Sequence, residues 1–88
     1  MVYYRVLLKK PVDKDLRRIN PTQVLRIIEA IRELAVNPFP ASSRKLRGSE
    51  NLYRVRIGDY RIVYQVNDKS KTVTVHYVRH RRTAYKPL

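Results

Sequence analysis

The stretch Arg44 to Tyr64, RKLRGSENLYRVRIGDYRIVY, constrains the fold more than any other, because it alternates like a strand on both sides of a Gly-Asp pair. Tyr53, Val55 and Ile57 point one way and Arg54 and Arg56 the other. Past the break, Tyr60, Ile62, Tyr64 and Val66 alternate against Arg61, Val63 and Gln65. A two-residue loop with glycine first suits a type II′ hairpin, whose register sets Ile57 opposite Tyr60, Arg56 opposite Arg61 and Arg54 opposite Val63. Two guanidinium groups thereby become cross-strand neighbours. Like charges facing one another destabilise a sheet, so a stability argument expects Glu or Thr there, whereas an anion held between the arginines accounts for the pair. The plainer alternative is a basic sheet face bathed in solvent.

Charge narrows the kind of anion. The 88 residues carry 20 Lys and Arg against seven Asp and Glu, a formal net charge of +13. That is the footprint of a nucleic-acid binder or of a protein held by an acidic partner. The charges are interleaved with apolar residues along the whole chain, so a folded basic surface is expected and not a disordered arm. A chain of this length forms one domain with a thin core, and residues 1–88 are read as a single unit. The absence of cysteine excludes disulfides and thiolate metal sites. No apolar run approaches the roughly 18 residues of a membrane span, and MVYYRVLLKK lacks the apolar block of a signal peptide. A cytoplasmic location without membrane partners is expected.

Along the chain, Val2 to Leu8 reads as a first strand with Val2, Tyr4, Val6 and Leu8 on one face. Pro11 opens a short helix on which Val12, Leu16 and Ile19 recur at helical spacing. Asn20 is a good N-cap and Pro21 a good first residue for a second helix. Val24, Ile27, Ile28, Ile31, Leu34 and Ala35 form its apolar stripe up to Asn37-Pro38. Asn37 to Ser43, NPFPASS, is a loop, and the hairpin follows. Asn67 to Ser70 is a second turn before a last strand, Lys71 to Val78, with Val73, Val75 and Tyr77 on the apolar face. That loop pairs Ile62 with Val75 and Arg61 with His76, placing His76 on the arginine face. Tyr53, Tyr60, Tyr64 and Tyr77 are expected on the helix side. The result is an α+β layer of order β-α-α-β-β-β: a small, antiparallel-dominated sheet of about four strands, one face on an N-terminal helix pair and the other open.

Several segments together resemble a known family. They are Lys45-Leu46-Arg47-Gly48, Tyr53-Arg54-Val55-Arg56, the strand Gly58-Asp59-Tyr60-Arg61-Ile62-Val63-Tyr64, and Val78-Arg79-His80-Arg81 with Tyr85 four residues on. The combination is similar to the RelE/ParE superfamily of toxin-antitoxin toxins and extends over nearly the full chain. The resemblance implies a RelE-like microbial RNase fold and a messenger-RNA endonuclease, an mRNA interferase, that enters the ribosomal A site on the 30S subunit. It also implies an acidic RelB-type antitoxin that wraps the toxin in an oligomeric complex. An alternative in the same superfamily is a ParE-like toxin that inhibits DNA gyrase by protein contact without RNA chemistry.

Carried over by position, the resemblance makes Arg61 and Arg81 the clamp on the scissile phosphate and Tyr85 the aromatic that stacks on a substrate nucleotide. Arg54 and Arg56 stand where RelE-type toxins often carry lysine. Arginine keeps its proton above about pH 12, so these two suit charge neutralisation and not base catalysis. Arg79 stands where many relatives have glycine. Lys45, Arg47, Arg79 and Arg82 are expected along the RNA backbone, and Lys9, Lys10, Lys14, Arg17 and Arg18 are ordinary solvated charge or contacts to ribosomal RNA.

The implied chemistry needs neither cofactor nor metal, since RNA brings its own nucleophile, the 2′-hydroxyl. The protein must align it, neutralise the developing charge and protonate the leaving 5′-oxygen, leaving a 2′,3′-cyclic phosphate. His76 and His80 are the side chains that ordinarily titrate near neutrality, and His80 is the expected proton shuttle because it adjoins Arg81.

Overall fold

The computed structural model describes residues 3–80. In chain order they form β1 (Arg5–Leu8), α1 (Lys10–Arg17), α2 (Pro21–Val36), β2 (Arg44–Lys45), β3 (Leu52–Ile57), β4 (Tyr60–Asn67) and β5 (Thr72–His80). The strands make one sheet in the order β1-β5-β4-β3-β2, with β1 parallel to β5 and every other pair antiparallel. The α+β class is the expected one, with five strands in place of four. Arg44–Lys45 adds a two-residue edge to β3, too short to leave an alternation signal.

Both helices form where the stop and start signals put them. Pro11 lies in the first turn of α1, where its missing N–H costs no helical bond, and Val12 behind it is fully buried. Asn20 caps α2 by accepting from the Thr22 backbone N–H at 3.0 Å, and Ile27, Ile31 and Leu34 bury the stripe. These residues meet Val55, Ile62, Tyr64, Val66, Val73, Val75 and Val78 in a single core, with Tyr53 and Tyr60 packed at its margin. At the tip of β1 the burial ends: Leu8, expected beside Tyr4 and Val6, is 55% exposed.

The hairpin has the register that Gly58-Asp59 dictates, with Ile57 opposite Tyr60, Arg56 opposite Arg61 and Arg54 opposite Val63. Gly58 has φ 59, the left-handed value a type II′ turn requires at its first position. The β4–β5 pair departs from expectation. Ile62 faces Val78, not Val75, and Arg61 faces Arg79, not His76. Two local events shift it. The turn occupies residues 68–71, closed by Lys71 at φ 52, so that Asn67 pairs with Thr72. A bulge between Val63 and Tyr64 then leaves His76 as the extra residue on β5. One extra residue exchanges the faces, so Val78 enters the core and Tyr77 leaves it for the face away from the helices. Tyr77 therefore does not join Tyr53, Tyr60 and Tyr64 on the helix side.

β1 accompanies β5 only as far as Val75. Beyond it, the Lys9 N–H donates to the Val75 carbonyl at 3.0 Å and the Val78 N–H donates to Asp15 Oδ2 at 3.0 Å, so α1 closes an edge that no described strand covers. Asp15→Ala removes a charged acceptor from that backbone group. It is expected to lower the unfolding free energy by about 1.5–3 kcal/mol, read from urea melts, with Asp15→Asn recovering part of the loss. At the other end of β5, the Tyr4 hydroxyl and Lys71 Nζ both donate to Asp68 Oδ1, tying the N-terminal strand to the last turn. These two donors hold the Asp68 carboxyl below its usual range.

Candidate nucleic-acid interface

The sheet face away from the helices carries the candidate site. Core residues Val55, Ile62 and Val78 alternate with Arg56, Arg61 and Arg79, so the pleat turns all three arginines outward from the helices. Arg56 faces Arg61, and Arg61 faces Arg79. Three guanidinium-bearing residues thus lie in one row across β3, β4 and β5, with neighbouring strands about 4.8 Å apart. The row behind it is Arg44, Arg54, Val63 and Tyr77. Val63 is only 2% exposed although it faces away from the core, flanked by Arg54 and Tyr77 across the adjoining strands. The Arg79 Cζ lies over the Tyr77 ring, 4.3 Å from its centroid.

Charge is sharply segregated. The seven acids are Asp13 and Asp15 on α1, Glu29 and Glu33 on α2, and Glu50, Asp59 and Asp68 in turns, so no strand contributes one. An anion on the arginine row therefore meets no carboxylate from the sheet. With several like charges on a low-dielectric wall, the field favours a polyanion and repels a cation.

The other expected site residues distribute as follows. Arg54 stands in the second row, between Arg44 and Val63. Arg44, which alternation alone did not single out, bends back so that its Nη1 donates to the carbonyls of Ala41 at 3.0 Å and Ser43 at 2.8 Å. Lys45 pairs with Tyr53 and so belongs to the helix side of the edge strand, and Arg47 is exposed in the turn before Gly48. His80 pairs with Tyr60, its ring edge-on at 5.4 Å, also on the helix side and opposite to the arginine row. It lines a cleft of about 410 Å³ with Asp15, Arg18, Tyr60 and Arg79. Arg81, Arg82 and Tyr85 lie outside the described residues. The length of the β4–β5 turn could have brought the register to within one residue of the observed one; the bulge that finally sets Arg79 opposite Arg61 and turns Tyr77 outward leaves no mark in the sequence.

His76 lies at the bulge on the arginine face, its Nε2 3.1 Å from Gln65 Oε1. Burial and then the Lys9 ammonium push its pKa below the ordinary histidine value of 6.5. The unfolded chain thus takes up a proton at a pH where the folded chain does not. Stability is fully present above about pH 6.5 and is lost as the pH falls from there toward the folded pKa. Denaturant midpoints measured from pH 7.5 to 5.5 are expected to decline, and His76→Gln to flatten the decline. Among the described residues, no three His, Asp or Glu side chains gather as a metal site, and no helix is long and apolar enough to cross a membrane.

Similarity to known proteins shows the family and the fold. The family model for the ParE toxin of the type II toxin-antitoxin system parDE matches residues 6–85. Toxin RelE3 of Methanocaldococcus jannaschii is 33% identical over 86 residues, spanning 92% of this chain and 94% of that protein. The toxin chain in the RelE-RelB complex of Pyrococcus horikoshii superposes with a TM-score of 0.81 at 34% identity, over 91% of this chain and 97% of that one. The toxin-antitoxin complex RelBE2 of Mycobacterium tuberculosis gives a TM-score of 0.81 at 28% identity, over 92% and 94%. A two-helix, five-stranded mixed sheet with this match makes the chain a RelE-type member of the RelE/ParE superfamily of type II toxin-antitoxin toxins.

Proposed function

We propose that this toxin is a ribosome-dependent mRNA endonuclease that cuts the message in the A site and so stops translation. The observation that carries the reading is the row of Arg56, Arg61 and Arg79 on a strand face without acids. In this mechanism the 2′-hydroxyl of the message gives up its proton to water and attacks the adjacent phosphorus, the P–O5′ bond breaks, the leaving 5′-oxygen takes a proton from water and a 2′,3′-cyclic phosphate remains. The chain supplies charge stabilisation: guanidinium forks of Arg61 and Arg56, joined by Arg81, bind the non-bridging oxygens as they gain charge. Tyr85 stacks on a nucleotide of the codon. Arg54, Arg47, Arg82 and Lys45 add backbone contacts on the flanks. With His80 on the helix side against Tyr60, proton transfer is not assigned to it. No metal or organic cofactor enters the scheme.

The controlling partner in this reading is an acidic RelB-type antitoxin. The relatives from Pyrococcus horikoshii and Mycobacterium tuberculosis are solved as complexes with theirs. An acidic segment laid over a surface of +13 neutralises it and withholds the arginine row from RNA. The place of action is the cytoplasm, on the ribosome.

The ParE name of the matching family model favours a second reading, inhibition of DNA gyrase by protein contact. Primer extension on a translated message separates the two. The nuclease reading requires new message ends at the A-site codon that vanish with Arg81→Ala. Intact message together with blocked supercoiling by gyrase overturns it.

A further inference from the structure

Resting on the nuclease reading for the identity of the anion, we infer that Arg79 forms a second phosphate subsite beside the scissile one, with Tyr77 as its positioning residue. The two residues stand two apart on β5, both turned to the arginine face by the bulge at His76. Tyr77 is anchored opposite the buried Val63, and Arg79 lies over its ring at 4.3 Å.

The chemistry of this stack suits backbone binding. A guanidinium carries its five N–H donors in its own plane and at its edge, so resting one face on an aromatic ring consumes none of them. The ring takes up the side chain's freedom, which otherwise counts against each phosphate contact, and fixes where the fork points. Arg79 ends the three-arginine row, two strands from Arg56. The stack draws the Arg79 guanidinium along β5 over Tyr77, toward the row behind and so away from the point where Arg56 faces Arg61. Held there, the outermost arginine serves a neighbouring phosphate of the same strand. Asp15, which lines the cleft that Arg79 borders, accepts the Val78 N–H at Oδ2, whereas the Arg79 guanidinium rests on the Tyr77 ring.

The test is the salt dependence of binding between the full chain and a single-stranded RNA of about 12 nucleotides made entirely with 2′-methoxy sugars, which cannot be cut. Arg79→Gln is expected to reduce the slope of log Kd against log salt by about 0.7, the value for one phosphate contact on a single strand. Tyr77→Leu keeps every charge and is expected to weaken binding about two- to fivefold, while Tyr77→Phe, which retains the ring, restores it. Circular dichroism of each variant checks the fold. An unchanged slope with Arg79→Gln overturns the subsite. Wild-type affinity in a folded Tyr77→Leu, or Tyr77→Phe as weak as Tyr77→Leu, overturns the positioning role. Because the RNA is uncleavable, these outcomes are independent of the primer-extension result that decides the nuclease reading.

Discussion

Arg61→Gln is expected to lower A-site cleavage by about 10²- to 10³-fold while the chain stays folded and still binds its antitoxin. Arg61 is the middle member of the row, facing Arg56 on one side and Arg79 on the other, so a phosphate held anywhere on the row is within its reach. Removing one donor from a preorganised oxyanion site costs about 3 kcal/mol of transition-state stabilisation, and glutamine retains the length of the side chain without the charge. Arg61→Lys should recover only part of the rate, because an ammonium is a point charge and cannot present two parallel N–H bonds to the phosphate. Single-turnover cleavage on programmed ribosomes measures it. A rate within about tenfold of wild type for Arg61→Gln sinks the arginine-based mechanism.

Tyr64→Ala is expected to give the largest loss of stability, about 3–5 kcal/mol in unfolding free energy. Tyr64 has no exposed surface, stacks with Tyr53 at 6.0 Å between ring centroids, and Tyr53 in turn meets the edge of Phe39 at 5.1 Å. Its hydroxyl donates to the Pro38 carbonyl at 2.8 Å, and burial raises its pKa, so the donor keeps its proton. One residue thus joins the sheet to the loop that follows α2. Against a total of about 5–15 kcal/mol for a small domain, the truncation leaves a substantial unfolded population. Tyr64→Phe separates the two contributions: it retains the packing and orphans the Pro38 carbonyl, for about 1–3 kcal/mol. Urea denaturation of both variants measures the split, and a loss below about 1 kcal/mol for Tyr64→Ala contradicts the account.

What could be read from residues alone followed the strength of local signals. Asn20-Pro21 and the stripe from Val24 to Leu34 marked α2 because a cap, a first-turn proline and a 3.6-residue period coincide there. Gly58-Asp59 fixed a register because two residues leave one hairpin geometry, and the Arg56–Arg61 pair followed from it. The β4–β5 register was not legible. It depends on where the turn closes, at Lys71 and not Ser70, and on a bulge that shifts Tyr77 and Val78 by one residue, to opposite faces. Nor does alternation reveal that β1 runs parallel to β5, a choice made by packing against α2 and by the contact of Lys9 with Val75. The consequence for the site was concrete: the arginine row gained Arg79 in place of His76, and His80 went to the helix side.

The irregular register of β5 against β4 ties the formation of the site to the order of folding. The β3–β4 hairpin can align Arg56 with Arg61 through local contacts, which form early. Arg79 reaches its place only when β5 pairs with β4 beyond the bulge, a closure that spans more of the chain than the one joining Arg56 to Arg61. A molecule in which only the β3–β4 hairpin has formed therefore holds an incomplete anion site, and the full cationic row exists only once the irregular β4–β5 pairing has closed.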